Sequence, residues 1–145
     1  MRGGQVDGVL LFTGRLPREG FALLDRTIPI TLVFNEVPDL DDLPLFEIDN
    51  RDAARLMTEH ILACGHRRIA HIAGPATNLE AVERIRGYSD ALTAAGIPVD
   101  ENLIWPGNFN LVAGAKAAER FLAMDEKPTA IFAATIGLAQ NDIKK

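Results

Sequence analysis

The feature that most constrains the fold of this chain is the alternation of short apolar runs with segments of helical length. The runs are VDGVLLF (6–12), PITLVFN (29–35), LFEI (45–48), RIAHIAG (68–74), NLIWPG (102–107) and KPTAIFAAT (127–135). A short continuous apolar run, such as the first one, is typical of a strand that is buried on both faces. Strands that alternate with helices predict βαβ units, and therefore an α/β fold with parallel sheets flanked by helices.

Helix-length segments occupy residues 17–26, 49–64, 80–95 and 111–124. Side-chain oxygens that can accept hydrogen bonds from first-turn amides precede the last three: Asp49 or Asn50, Asn78 or Thr77, and Asn110. The periodicity of the segment 49–64 predicts one apolar face, formed by Ala53, Leu56, Met57, His60, Ile61 and Cys64. The acidic segment 36–44, with its two prolines, is a soft boundary between two parts of the chain.

Composition limits the class of protein. The chain has 145 residues and a net charge of -5, which argues against a free-standing nucleic-acid binder with a basic face. No apolar run approaches the roughly 20 residues that span a bilayer, and the first residues carry no apolar signal core. The single cysteine excludes an internal disulfide. These observations predict a cytoplasmic globular protein without membrane contact.

The residues that could carry chemistry do not form a recognisable catalytic or metal site. His60, Cys64, His66 and His71 are close in sequence, but a helix, a turn and a strand separate them, so structural roles are favoured over metal binding. The sequence contains no glycine-rich phosphate loop and no nucleophile elbow. We therefore expect no enzymatic activity, no metal and no cofactor.

The stretch HIAGPATNLEAVERIRGY (71–88) combines a strand, a Gly-Pro break, a polar loop and a helix start. In open α/β sheets, ligands bind outside the carboxyl ends of the strands. Arg84 lies one turn into the helix, where a guanidinium can hold hydroxyls or a carboxylate. The alternative is an ion pair between Arg84 and Glu80, one helical turn away, on a solvated face.

The residues from IDNRDAARLM (48–57) to PTAIFAA (128–134) resemble the effector-binding core of LacI/GalR transcription regulators. The most specific part of the resemblance is the pattern GHRRIAHIAGP followed by an arginine and RGY, and VDGVLL matches an upstream strand. The resemblance implies a periplasmic-binding-protein-like type I fold. In it, two subdomains close over a small polar metabolite, a sugar or a nucleoside-like molecule, and closure controls how a dimer presents its DNA-binding domains.

The resemblance also implies four ligand-binding residues. Arg84 matches the arginine that hydrogen-bonds the effector, and Asn35 falls where many members place an aspartate for sugar hydroxyls. Phe109 matches an aromatic residue that lines the pocket, and Thr13 matches a position at the pocket edge. Each of the last three residues has an alternative structural role. Asn35 would be a strand-end amide bonded to backbone, Phe109 a core phenylalanine and Thr13 a solvated threonine.

The chain departs from the family pattern at both ends. It shows no helix-turn-helix segment, so we expect DNA contact only through a domain outside this sequence. Ile136 stands where the family places an effector-binding aspartate, and an isoleucine cannot accept a hydrogen bond. We therefore expect an incomplete core, with a remnant of the first subdomain at 1–47, a partial second subdomain at 48–135 and a divergent tail at 136–145.

An incomplete core would expose sheet edges, which predicts a homodimer or a higher self-association. Two other functions stay open at this point. A periplasmic-type sugar-binding protein of a transport system would share the architecture, although a signal segment is not apparent. An α/β enzyme with one doubly wound sheet would need a nucleophile or cofactor motif.

Overall fold

The computed structural model describes residues 6–12, 27–33 and 43–135, and the chain divides into two compact units, Met1–Ile48 and Asp49–Lys145. The helix expected at 17–26, most of the acidic segment 36–44 and the tail 136–145 lie outside the described residues.

The first unit contains a parallel sheet of three strands, β1 (Val9–Leu11), β2 (Ile30–Val33) and β3 (Leu45–Phe46), in that order. Leu32 of the central strand is buried, and the leucines of the neighbouring strands pack around it. The expectation that the first strand is buried on both faces is wrong, because Leu10 is 64% exposed. Side chains alternate between the two faces of a strand, and only one face of β1 is covered.

The second unit is a βα-type layered structure. Its elements, in chain order, are α1 (Asn50–Ala63), β4 (Ile69–Ile72), α2 (Leu79–Ala94), a 3-10 turn (Glu101–Leu103), β5 (Ile104–Trp105), α3 (Leu111–Leu122) and β6 (Ala130–Ala133). The strands form a parallel sheet in the order β5-β4-β6. Two parallel three-stranded sheets with flanking helices confirm the predicted α/β fold class.

The central strand β4 organises the core of the second unit, because all four of its side chains are buried. Ala70 and Ile72 face α3 and pack with Phe121. Ile69 faces the opposite layer and packs with Tyr88 and other apolar residues of α1 and α2. Both faces of this parallel sheet are therefore covered, as such sheets require.

Helix α1 buries a different face from the one that its periodicity predicts. Its buried side chains are Ala54, Thr58 and Leu62, whereas Leu56 and Met57 of the expected apolar face are 53% and 47% exposed. The reason is the crossing with α2 at Gly87, where an added Cβ would lie 2.0 Å from the backbone oxygen of α1 residue Arg51. Small residues are buried at the crossing because they let two helix backbones approach closely.

Candidate functional site

The carboxyl ends of the three strands of the second unit lie side by side. The amide of Ala73 donates to the carbonyl of Trp105, and the amide of Ala134 donates to the carbonyl of Ile72, both at 2.9 Å. Helix α2 starts after β4 and α3 starts after β5, so their first turns lie at this same edge. The positive ends of their helix dipoles therefore face it too, which favours ligand groups rich in hydrogen-bond acceptors.

The loop that follows β4 is ordered by local hydrogen bonds. The amide of Asn78 donates to the carbonyl of Pro75 at 2.9 Å, which closes a turn directly after the Gly-Pro break. The Asn78 side chain then accepts from the amide of Ala81 at 2.7 Å and caps α2. The cap fixes where α2 begins and, with it, the position of every side chain in its first two turns.

Arg84 connects three elements at this edge. Its Nε donates to Oδ1 of Asn50, the first residue of α1, and its Nη1 donates to the carbonyl oxygen of Ala134, just beyond β6, each at 2.9 Å. Its Nη2 lies 3.5 Å from a carboxylate oxygen of Glu80. The ion pair with Glu80 that was the alternative to ligand binding thus exists, but Arg84 is only 23% exposed and does not lie on a solvated face.

His71 lies below this edge, fully buried between the rings of Tyr88 and Phe132, with centroids 5.2 and 4.6 Å away. Its Nδ1 is 3.0 Å from the carbonyl oxygen of Phe132, which can only accept, so Nδ1 carries the proton. Its Nε2 is buried without a hydrogen-bond partner among the described residues. Burial lowers the pKa of His71 to about 4; the hydrogen bond opposes this shift and the charge of Arg84 adds to it.

Phe109 lies at the start of α3 with a positive φ of 54°, which is unusual for a residue other than glycine. Its ring covers Gly74 in the loop after β4: a Cβ added at Gly74 would be 2.1 Å from Cζ of Phe109. The next residue, Asn110, caps α3 by accepting from the amide of Ala113 at 2.9 Å. The half-buried ring of Phe109 also packs against the α3-side core.

Two of the four predicted site residues, Arg84 and Phe109, therefore lie at the carboxyl edge of the same sheet. Asn35 and Thr13 lie outside the described residues. Sequence reasoning missed Asn50 as a partner of Arg84, although a helix that leads into β4 begins on the side of the sheet where β4 ends. A fork of N–H donors and an aromatic ring at one edge of a sheet are suited to holding a polar ring-shaped ligand.

The other histidines and the cysteine are dispersed. Nε2 of His60 and Sγ of Cys64 are 3.8 Å apart at the end of α1, and Nδ1 of His66 is 3.1 Å from the hydroxyl of Thr129. Within residues 6–12, 27–33 and 43–135, no three His, Cys, Asp or Glu side chains form a group that could hold a metal ion. In the same part of the chain, no helix has the length and apolar content to cross a membrane.

The sequence of the chain is similar to that of known transcription regulators. The family described as periplasmic binding proteins and sugar binding domain of LacI family matches residues 2–142. HTH-type transcriptional repressor CytR of Escherichia coli (strain K12) is 38% identical over 128 residues, which are 88% of this chain and 38% of that protein. Catabolite control protein A of Priestia megaterium is 32% identical over 96% of this chain and 42% of its own length. The chain thus spans about two fifths of these relatives.

Solved structures show the same similarity. A regulatory protein of LacI family from Chloroflexus aggregans superposes with a TM-score of 0.78 at 28% identity, over 95% of this chain and 50% of that one. The complex of transcriptional regulator CelR with cellobiose gives a TM-score of 0.67 at 34% identity, over 90% of this chain and 41% of that one. The fold and the sequence are therefore both similar to those of transcription regulators.

Proposed function

This chain belongs to the family of periplasmic binding proteins and LacI-type sugar-binding domains, and on that premise we propose that it is the effector-binding part of a transcription regulator. A small polar metabolite binds to it and controls DNA binding by another segment of a longer, cytoplasmic protein. The relatives support this proposal, since they are transcriptional regulators, and they also favour the expectation of no enzymatic activity.

The observation that carries the proposal is the placement of Arg84 at the carboxyl edge of the second sheet. Hydrogen bonds to Asn50 and Ala134 fix the guanidinium plane. An arginine has five N–H donors, and two of them make hydrogen bonds to these described residues. The remaining donors provide a fixed fork at the edge where α/β sheets bind ligands. Phe109, at the same edge, supplies an apolar surface against which a sugar or nucleoside ring can pack.

We infer a neutral sugar or a nucleoside-like molecule as the effector class. The CelR complex contains cellobiose, and the family description includes sugar binding, which supports a hydroxyl-rich ligand. A purine or pyrimidine ring would use the same donor fork and the same aromatic residue. DNA contact is assigned to a different segment, because the net charge of -5 disfavours a polyanion partner for this part.

Calorimetric titration with cellobiose, ribose and adenosine tests the proposal. We expect at least one of them to bind, and Arg84→Ala to weaken that binding by about tenfold or more, since a hydrogen bond from a charged donor is lost. Arg86→Ala is the matched control: Arg86 lies two residues away, is 57% exposed and pairs with Glu83. Equal affinity of wild type and Arg84→Ala would refute the role of Arg84.

Because Arg84 also connects α1 and β6, Arg84→Lys is a second variant that keeps the charge and removes the fork. Circular dichroism of both variants separates a binding defect from a folding defect. A periplasmic-type sugar-binding protein is the second candidate, since the family description includes that class. The gene sequence upstream distinguishes the two: a helix-turn-helix supports the regulator, and a signal peptide supports the transport protein.

A further inference from the structure

Glu80 and Arg84 form a partly buried pair at the carboxyl edge of the second sheet. Glu80 is in the first turn of α2, its side chain is 32% exposed, and its Oε2 lies 3.5 Å from Nη2 of Arg84. The pair Glu83 and Arg86 on the same helix is more exposed, at 36% and 57%. The Glu80–Arg84 pair is thus the less solvated of the two, and it lies beside the proposed ligand.

The distance between the two groups is longer than the pairing itself would favour. A charge-assisted hydrogen bond between a guanidinium and a carboxylate is about 2.7–2.9 Å long. Arg84 cannot move towards Glu80 without giving up its hydrogen bonds to Asn50 and Ala134, which hold its Nε and Nη1 at 2.9 Å. Nη2 of Arg84 and the carboxylate of Glu80 are therefore close together, and both have hydrogen-bonding capacity left for a third group.

A hydroxyl group matches such a pair because it is both a donor and an acceptor. It can accept from Nη2 of Arg84 and donate to the carboxylate of Glu80, or two neighbouring hydroxyls of one ligand can divide these roles. A phosphate or carboxylate ligand can use Arg84 alone, and it meets the negative charge of Glu80 a few ångströms away. The pair has no net charge, so the single positive charge of Arg84 is not available to attract an anion.

We propose that Glu80 contacts the ligand and, together with Arg84, selects neutral hydroxyl-bearing molecules and rejects anionic ones. This inference rests on the proposed function, in which Arg84 binds the effector. It assigns the charge selectivity of the site to one named residue. Removal of the carboxylate charge would turn the edge into an anion-accepting site, since Arg84 and the amino-terminal end of α2 would then be positive without compensation.

The test compares the full wild-type chain with Glu80→Gln and with the matched control Glu83→Gln. Each is titrated with ribose, ribose 5-phosphate, adenosine and inorganic phosphate, by calorimetry and by the shift of the melting temperature that a bound ligand causes. In wild type we expect inorganic phosphate to leave the melting temperature unchanged. In Glu80→Gln we expect phosphate to raise it, and Glu83→Gln should behave as wild type does.

For the neutral probe that wild type binds, Glu80→Gln should weaken binding by about tenfold, because the carboxylate acceptor is lost. The inference is overturned if Glu80→Gln neither gains phosphate binding nor changes the preference for the neutral probe. If Arg84→Ala still abolishes binding in that case, the proposed function stands and only the role of Glu80 falls. If Arg84→Ala has no effect on binding either, both proposals fall.

Discussion

The ring of Phe109 occupies the space that a side chain on Gly74 would fill, since an added Cβ at Gly74 would be 2.1 Å from Cζ of Phe109 and 2.8 Å from Cβ of Ala81. This contact joins the loop after β4 to the start of α3. It explains why a glycine lies in the loop directly after the strand whose carboxyl end forms the candidate site: any larger residue would push the ring of Phe109 away from the edge.

Gly74→Ala should therefore destabilise the protein by about 1–3 kcal/mol, as overpacking in a tight region does. Urea denaturation measures this cost. In the background of Phe109→Ala the same change should cost less, because the overlap with the ring is gone and only the 2.8 Å approach to Cβ of Ala81 remains. Strict additivity of the two substitutions would contradict the contact.

The crossing of α1 and α2 leads to a second prediction. Gly87→Ala places a Cβ 2.0 Å from the carbonyl oxygen of Arg51, a backbone atom that cannot rotate away. We expect a loss of stability of about 3 kcal/mol or more, since the helices must separate. Thr93→Ala on the exposed part of α2 is the control and should change stability by less than about 0.5 kcal/mol. A Gly87→Ala protein as stable as the control would show that the helices do not approach closely.

The buried, neutral state of His71 predicts an acid-sensitive stability. Its pKa is about 4 in the folded protein, against 6.5 for an exposed histidine. Between these values the unfolded chain binds a proton that the folded chain does not. The contribution of neutral His71 to the free energy of unfolding is therefore fully present above pH 6.5 and is lost as the pH falls towards 4. The loss amounts to about 3 kcal/mol at the lower end.

Urea denaturation at pH 7, 5.5 and 4.5 measures this decline. His71→Phe keeps an aromatic ring in the stack between Tyr88 and Phe132 but removes the titrating group. Its stability should depend much less on pH across this interval. The lowered pKa of Asp90 and of Asp100 affects stability only below this interval, because the ordinary pKa of both is 3.8. An unchanged pH dependence in His71→Phe would contradict the assignment.

Local signals in the sequence were sufficient to predict most helices and strands of the second unit. The capping residues Asp49, Asn78 and Asn110 are confirmed as the side chains that accept from first-turn amides. A cap involves residues two or three positions apart, so its chemistry is visible in the sequence itself.

The buried face of α1 could not be predicted in the same way. Large apolar residues such as Leu56 and Met57 dominate a periodicity argument, yet the contact with α2 is made through Ala54 and Gly87. Whether a small residue marks a close helix crossing depends on a partner that is 33 positions away in the chain. Periodicity within one segment contains no information about that partner.

The candidate site was predictable only in part. The order of strand, loop and helix start was enough to predict that Arg84 lies at the carboxyl edge of the second sheet, where ligands bind in α/β proteins. Its hydrogen bonds to Asn50 and Ala134 depend on residues 34 and 50 positions away, one of which offers only a backbone carbonyl. A carbonyl group is present in every residue, so no sequence pattern distinguishes this one. Ligand contact by Arg84, Phe109, Asn35 and Thr13 stays a prediction.

Nuclear magnetic resonance of the ¹⁵N-labelled 145-residue chain can locate the neutral polar metabolite that we propose to bind at the carboxyl edge of the second sheet. On addition of cellobiose, ribose or adenosine, we expect saturable shifts of the Arg84 Nε–H signal and of the amides of Gly74 and Phe109. The amides of Gly65 and Gly96, in the turns that precede β4 and β5 at the opposite edge, should not move. Saturable shifts confined to that opposite edge, or no saturable shift with any of the three compounds, would refute binding of such a metabolite at the carboxyl edge.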